Sequence, residues 1–386
     1  MNFLRNYLDK QKPKFEKGGK LYKLHSVFTG FESFLFVPNR TTSSGCNIRD
    51  AIDLKRTMII VVMALIPALL LNAGIYNVGY QHFNAMGTLA DTGFFELFFY
   101  GLWRVLPMII VSYVIGLGIE FAAAQIRGHE INEGFLVSGL LIPMIMPINA
   151  PLWMVGVSTA FAVIIGKEIF GGTGMNIWNP ALLARAFFFF SYPSMISGDK
   201  VWIAGMPDGF SQATPLAEAA QGLPTTYDMS SMFWGLIPGS VGETSTFCIL
   251  LGAILLIATG IGSWKIMLST FIGGYCMALL LNYTLPASNP YAAITPITHL
   301  IMGGFAFGAV FMATDPVTSA QTERGKWIYG FILGVMAILI RTLNPGYPEG
   351  MMLAILLMNT FAPLIDWFVV QGNIKRRLKR AKAMQL

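Results

Sequence analysis

The sequence predicts an all-α, polytopic membrane protein with about ten transmembrane helices, and three features carry that prediction: charge is sparse, long apolar runs recur, and lysine and arginine cluster. Only 12% of the 386 residues are charged and 54% are hydrophobic, whereas a soluble domain averages about 25% charged residues. Apolar runs approaching the ~20 residues that cross a bilayer return repeatedly from 57 to 371.

The basic segment 1–56 carries 11 Lys/Arg and no apolar run of signal-peptide length, so it reads as a cytoplasmic extension without a cleavable signal. A first membrane half, 57–192, is expected to hold five spans, near 57–75, 95–123, 134–148, 152–169 and 181–192. The loop 193–244 contains a single cation, Lys200, and is expected outside. A second half, 245–371, holds spans near 245–261, 265–284, 297–313, 327–343 and 350–371. The tail 372–386 has six Lys/Arg from Lys375 to Lys382, which puts both termini in the cytoplasm and requires an even number of spans. Alternate loops agree: Arg127, Lys167, Lys265, Arg324 and Lys326 fall on the cytoplasmic side, while 76–94 and 285–296 lack Lys and Arg.

The spans at 134–148, 181–192 and 297–313 are short and interrupted by Pro, Gly or polar residues, which a bilayer tolerates only where protein or a cavity satisfies the freed backbone. Broken helices of this kind mark binding sites in transporter-like folds. Pro147 and Pro180 in the first half are separated nearly as Pro316 and Pro348 are in the second. Five spans per half would give the halves opposite orientations, so a 5+5 inverted repeat is expected.

Cysteine and histidine add little. Cys46, Cys248 and Cys276 form no CxxC pair, and His25, His82, His129 and His299 lack ligand spacing. No Walker loop or GxGxxG follows a strand, so neither ATP nor a nicotinamide dinucleotide is expected on this chain, and nothing points to nucleic acid.

Four constellations carry chemistry. In DGFSQATPLAEAA (208–220), Thr214 stands at a helix N-cap with Pro215 at the first helical position, an arrangement that needs no function beyond capping. In GGTGMNIWNPALLARAF, Asn176 and Asn179 are three apart and expected on one face of a helical turn, Pro180 favours a helix start, and Arg185 should pair with a carboxylate or carbonyl. Glu120, Asp315 and Asp366 are carboxylates in or near spans; each needs a partner or an ion path, although a helix cap or the headgroup level would also account for them. Glu349 reads as solvated or capping. Gly116 and Gly118 admit either a close helix neighbour or a flat ring.

Six separated blocks then carry a family resemblance: NIRDAIDLKRTMIIVVMALIPALL, RGHEINEGF, GKEIFGGTGMNIWNPALLARAF, GSVGETS, MATDPV and LNPGYPEGMMLAILLMNTFAPLID. In this order they resemble the NqrB family, the B subunits of the sodium-pumping NADH:quinone oxidoreductases, and the resemblance includes the basic extension that the related Rnf D subunits are expected to lack. It implies a bacterial inner-membrane component of an oxidoreductase and translocase, working with the A, C, D, E and F subunits, with the NADH site on one of those.

The resemblance further implies FMN joined through its phosphate to Thr214 by a flavin transferase, within a motif of Asp208, Ser211, Ala213 and Leu216. Gln212 stands where the family motif often has Gly. A noncovalent riboflavin is implied near Asn176, Asn179 and Pro180, a Na+ path using Asp315, Glu120 and Asp366, and a quinone, ubiquinone or menaquinone, near Gly116 and Gly118. The competing readings are an Rnf-type electron carrier and a non-redox inverted-repeat transporter.

Overall fold

The computed structural model describes residues 2–16, 18–36, 44–46, 54–72, 74–127, 134–196, 198, 201–206, 212–285, 289–344, 346 and 349–384. Among them there is no strand. Among the described residues of the basic extension lie the α-helices α1 (Asn2–Gln11) and α2 (His25–Leu35). The first half comprises α3 (Leu54–Leu70), α4 (Ile75–Ala85), α5 (Phe94–Arg127), α6 (Phe135–Ile145), α7 (Leu152–Val163) and α8 (Pro180–Ser191). Short helices α9 (Pro193–Ile196), α10 (Pro215–Ala220) and α11 (Met229–Trp234) lie in the connecting loop. The second half comprises α12 (Thr246–Ala258), α13 (Trp264–Thr284), α14 (Pro296–Ile301), α15 (Phe305–Phe307), α16 (Glu323–Leu343) and α17 (Met351–Met384).

Among the described residues, five helical stretches are long and apolar enough to cross a membrane, beginning at Arg56, Phe94, Trp264, Glu323 and Met351, and α6, α8 and α12 are shorter apolar helices. The outer face of α5 exposes Phe95, Trp103 and Val114, as expected of a helix that meets hydrocarbon rather than water. Pro67, Pro107, Pro143 and Pro363 all lie inside helices, where neighbouring helices can re-satisfy the freed carbonyls.

One expectation is corrected. Residues 76–94 are not simply a loop: α4 follows the first span after a short break and buries Asn77, Val78 and Gln81. Asn77 donates to the Ile237 carbonyl at 2.9 Å, so polar side chains within 76–94 hold this helix onto the loop before α12. Charge counting cannot detect a helix that is neutral and partly polar.

The packing repeats between the halves. α5 packs on α7 and α6, and α7 on α8; correspondingly α13 packs on α16 and α14, and α16 on α17. Across the seam equivalent elements meet, α3 with α12 and α8 with α17. The sequence carries a similar spacing, one residue different, with Gly134-Phe135 running to Pro147 and Gly304-Phe305 to Pro316. Small residues bring α13 and α16 together, since a Cβ on Gly334 would overlap the Thr270 carbonyl and one on Gly273 the Phe331 carbonyl.

Two of the three expected interruptions are present, while the third segment, 181–192, forms the unbroken α8, in which ion pairs satisfy the polar Arg185. α6 stops at Ile145 and Met146 is extended before Pro147. The segment around 297–313 is interrupted at Met302–Gly304, with Met302 extended and Gly303 at φ +69°, a value that an L side chain rarely adopts. π-turns occupy Ile164–Glu168 after α7 and Gly308–Met312 after α15. Such turns widen a helix locally and recur at functional sites.

Candidate functional site: two cavities at the broken helices

The first cavity measures about 280 Å³ and is lined by Thr214, Leu216, Trp202, Phe189, Arg185, Glu243, Glu349 and several glycines. Thr214 is the N-cap of α10 as the sequence predicts, with Pro215 next, and its Oγ1 accepts from the Ala217 N–H at 3.2 Å. α10 is held from both ends. Gln212 Nε2 donates to Tyr227 Oη at 2.6 Å, and Tyr227 donates to the Ala213 carbonyl at 3.4 Å. Burial pushes the Tyr227 hydroxyl up to about 12, so at neutral pH it remains an O–H able to do both. Glu218 accepts from the Thr226 N–H at 2.9 Å and from its hydroxyl at 2.5 Å. Gln212, the departure from the family motif, thus has a structural task. Asp208 and Ser211 lie outside the described residues.

Arg185 pairs with carboxylates, as its burial in an apolar helix requires. Its Nη1 donates to both Glu243 oxygens at 3.0 and 3.1 Å, and its Nη2 to Glu349. Ser240 also donates to Glu243. Burial pushes the Glu243 carboxyl up to about 7 against the opposing pull of Arg185. The expectation of a solvated or capping Glu349 is therefore corrected: its side chain is mostly buried, and an ion pair fixes it. A fully buried Arg341 supports the same region through carbonyls, donating to His299 O at 2.5 Å, Met302 O at 3.1 Å and Glu349 O at 3.4 Å.

The second cavity measures about 110 Å³. Asn176, Asn179, Pro180, Asp315 and Lys167 all line it, so sequence sets that read as separate converge. Residues 175–179 are not helical, which corrects the expected shared helical face. Asn179 instead caps α8, its Oδ1 accepting from Ala181 N at 3.0 Å, while its Nδ2 donates to Asp315 Oδ2 at 3.3 Å. Asn176 Nδ2 donates to the Trp178 carbonyl at 3.0 Å. Asn359 of α17, with its amide turned to satisfy its neighbours, accepts from the Asn179 N–H at 3.2 Å and donates to Tyr329. Asp315 also accepts from Val317 N at 3.0 Å and Thr318 Oγ1 at 3.2 Å.

Glu120 is buried and pairs with Lys167. Its Oε2 has no hydrogen-bond partner among the described residues. Removing one charge of a buried pair strands the other. Lys167→Met is expected to cost about 3–5 kcal/mol, read as loss of melting temperature in the detergent-solubilised protein, and Lys167→Met/Glu120→Met should recover most of it.

Asp366 is not among the residues lining either cavity. It accepts from Gln321 N at 2.7 Å and Thr322 N at 2.9 Å and so anchors the start of α16. Gly116 faces the Phe135 ring, which a Cβ would overlap, whereas Gly118 has open space around it. No His/Cys/Asp/Glu group suited to a metal occurs among the described residues.

Residues 41–375 match the model of the NQR2, RnfD, RnfE family. The chain belongs to that family. Within it, the chain is 46% identical to the B subunit of the Na(+)-translocating NADH-quinone reductase of Chromohalobacter salexigens, covering 98% of this chain and 97% of the relative. Proteins of the same name from Pseudomonas aeruginosa (44%; 98% and 99% covered) and Yersinia pestis (43%; 98% and 100% covered) are similar throughout. These matches to family members take in the basic extension as well as the membrane core.

Proposed function

We propose that the chain is the B subunit of a sodium-translocating NADH:quinone oxidoreductase, carrying covalent FMN on Thr214 and passing electrons towards ubiquinone or menaquinone while Na+ crosses the membrane. The observation that carries this is the acceptor hydroxyl itself: Thr214 stands on the wall of a cavity of about 280 Å³, near the lower end of the ~300–1,000 Å³ usual for small-molecule sites. Glycine walls and the Trp202 and Phe189 side chains suit a flat heteroaromatic ring, and Arg185, Ser240 and the carboxylates supply polar groups. FMN, when bound, supplies electron acceptance and release; the chain contributes attachment, a water-poor slot and fixed charge. By the family pattern the donor and the NADH site belong among the A, C, D, E and F subunits, and a flavin transferase installs the group.

The second cavity is read as an ion and flavin-edge site. Its volume of about 110 Å³ admits an ion or one edge of a ring, so a riboflavin would insert only its edge beside Asn176 and Asn179. Asp315, with Glu120 behind Lys167, is proposed for the Na+ path; Asp366 is read as an anchor of α16. Gly116 is taken up by helix packing, and Gly118 is left as the candidate for quinone approach. Both termini are proposed to be cytoplasmic and 193–244 external, in a bacterial inner membrane.

The test is fluorescence of the denatured polypeptide on a gel, with the purified complex assayed in parallel. Yellow-green fluorescence on this chain together with Na+-dependent NADH:quinone turnover is expected; an unlabelled chain would remove the reading of covalent FMN on Thr214. Ferredoxin-linked rather than quinone-linked turnover would make it an Rnf-type carrier.

A further inference from the structure

The first cavity has three charged side chains in its lining, and ion pairs join all three: Arg185 from α8, Glu243 from the entry to α12, and Glu349 from the entry to α17. We propose that this Arg185–Glu243–Glu349 cluster receives the pyrimidine edge of the flavin attached at Thr214 and sets its reduction potential. The proposal rests on the reading of Thr214 as the attachment point.

Three observations support it. The cluster and Thr214 share one cavity, so a ring tethered at one wall has the charged end within the same enclosure. Gly304, also in the lining, packs directly on the cluster, since a Cβ there would lie 2.7 Å from both Glu243 Oε1 and Glu349 Oε1. A purely structural ion cluster has no need to line a cavity of about 280 Å³. The chemistry also matches. A flavin's pyrimidine edge presents carbonyl and ring-nitrogen acceptors beside one N–H donor, and a guanidinium flanked by carboxylates offers donors beside acceptors.

Reduction by an outside donor, dithionite in a titration or a reduced partner cofactor in the complex, adds electron density along this edge. A fixed positive charge there favours the reduced form and a fixed negative charge opposes it, most strongly where water is excluded. Arg185 and Glu349 are thus positioning residues with opposite effects on one quantity. As a simple clamp between α8, α12 and α17, the cluster would affect assembly and leave the potential of an attached flavin alone.

The experiment is a spectroelectrochemical titration of the purified complex at pH 8, above the value to which burial raises Glu243. The signal of this chain's flavin is identified by its absence from Thr214→Ala. Glu349→Gln, which keeps a hydrogen-bond acceptor but removes a negative charge, should raise the reduced-to-oxidised ratio at fixed potential about tenfold, or about 59 mV for a one-electron couple. Arg185→Gln should move it as far the other way, and Arg185→Lys should return it close to wild type. Should Arg185→Gln fail to assemble, Glu349→Gln alone decides. An unchanged potential in assembled Glu349→Gln with full covalent flavin overturns the proposal and leaves the Thr214 reading standing. A wild-type chain without covalent flavin removes the Thr214 reading itself, and the proposal with it.

Discussion

Thr214→Ala is expected to leave the chain folded, inserted and assembled but devoid of covalent flavin. The loss should be complete, because the phosphoester has no other oxygen to form on at that position, while the structural cost is only that of one N-cap, about 1 kcal/mol. That cost is small here because α10 does not depend on its cap. Leu216 and Ala219 pack into a cluster with Tyr291 and Met302, and Glu218 and Gln212 tie the element to Thr226 and Tyr227. Thr214→Ser keeps both the acceptor oxygen and the cap, so it should retain flavin. Intact-mass measurement on the three proteins separates these outcomes. Flavin still present on the Ala variant would move the attachment elsewhere, and loss of assembly in that variant would show the cap to matter more than its single hydrogen bond suggests.

Much of this architecture was legible in the sequence because a bilayer imposes a simple code. Lipid demands apolar helices of near-fixed length, and each of the ten expected segments contains helix close to its expected position. The breaks were legible too, since Pro147 and the Gly303-Gly304 pair are residues that disfavour a regular helix. What could not be read was pairing across the chain. Glu243 lies inside GSVGETS and Glu349 inside PGYPEG, both of which read locally as polar turns, and only the fold brings them to Arg185. Lys167 read as a marker of the cytoplasmic side, yet it is buried against Glu120. One signal was available: an arginine in the middle of a short apolar helix requires counter-charge from somewhere, and the carboxylates nearest the ends of spans were the candidates.

The two cavities are connected by a single element. α8 begins at the second cavity with Asn179 and Pro180 and presents Arg185 and Phe189 to the first. At 1.5 Å per residue, the stretch from Asn179 to Arg185 is on the order of 9 Å long. Asn179 both caps α8 and donates to Asp315, so one side chain touches the second cavity and the helix that carries Arg185.

Asp315→Asn is expected to raise the Na+ concentration for half-maximal NADH:quinone turnover by about tenfold, the equivalent of about 1.4 kcal/mol, while folding and flavin content remain normal. The reasoning starts from its partners. Asp315 accepts from the Val317 N–H, the Thr318 hydroxyl and the Asn179 amide, all neutral, and no ion pair engages it among the described residues. A carboxylate in a narrow cavity with only neutral donors keeps its negative charge available to a visiting cation, and hard cations favour such oxygens. Asparagine preserves the size and one acceptor oxygen for Val317, and the Thr318 hydroxyl can turn to accept from the new amide. The local network therefore largely survives, with one strained contact at Asn179 costing about 1 kcal/mol. What disappears is the charge. Turnover measured against NaCl at constant ionic strength isolates that change, since screening is held fixed. A sodium dependence that does not move, in a complex with its full flavin complement, would reduce Asp315 to a brace between the end of the π-turn and the start of α8.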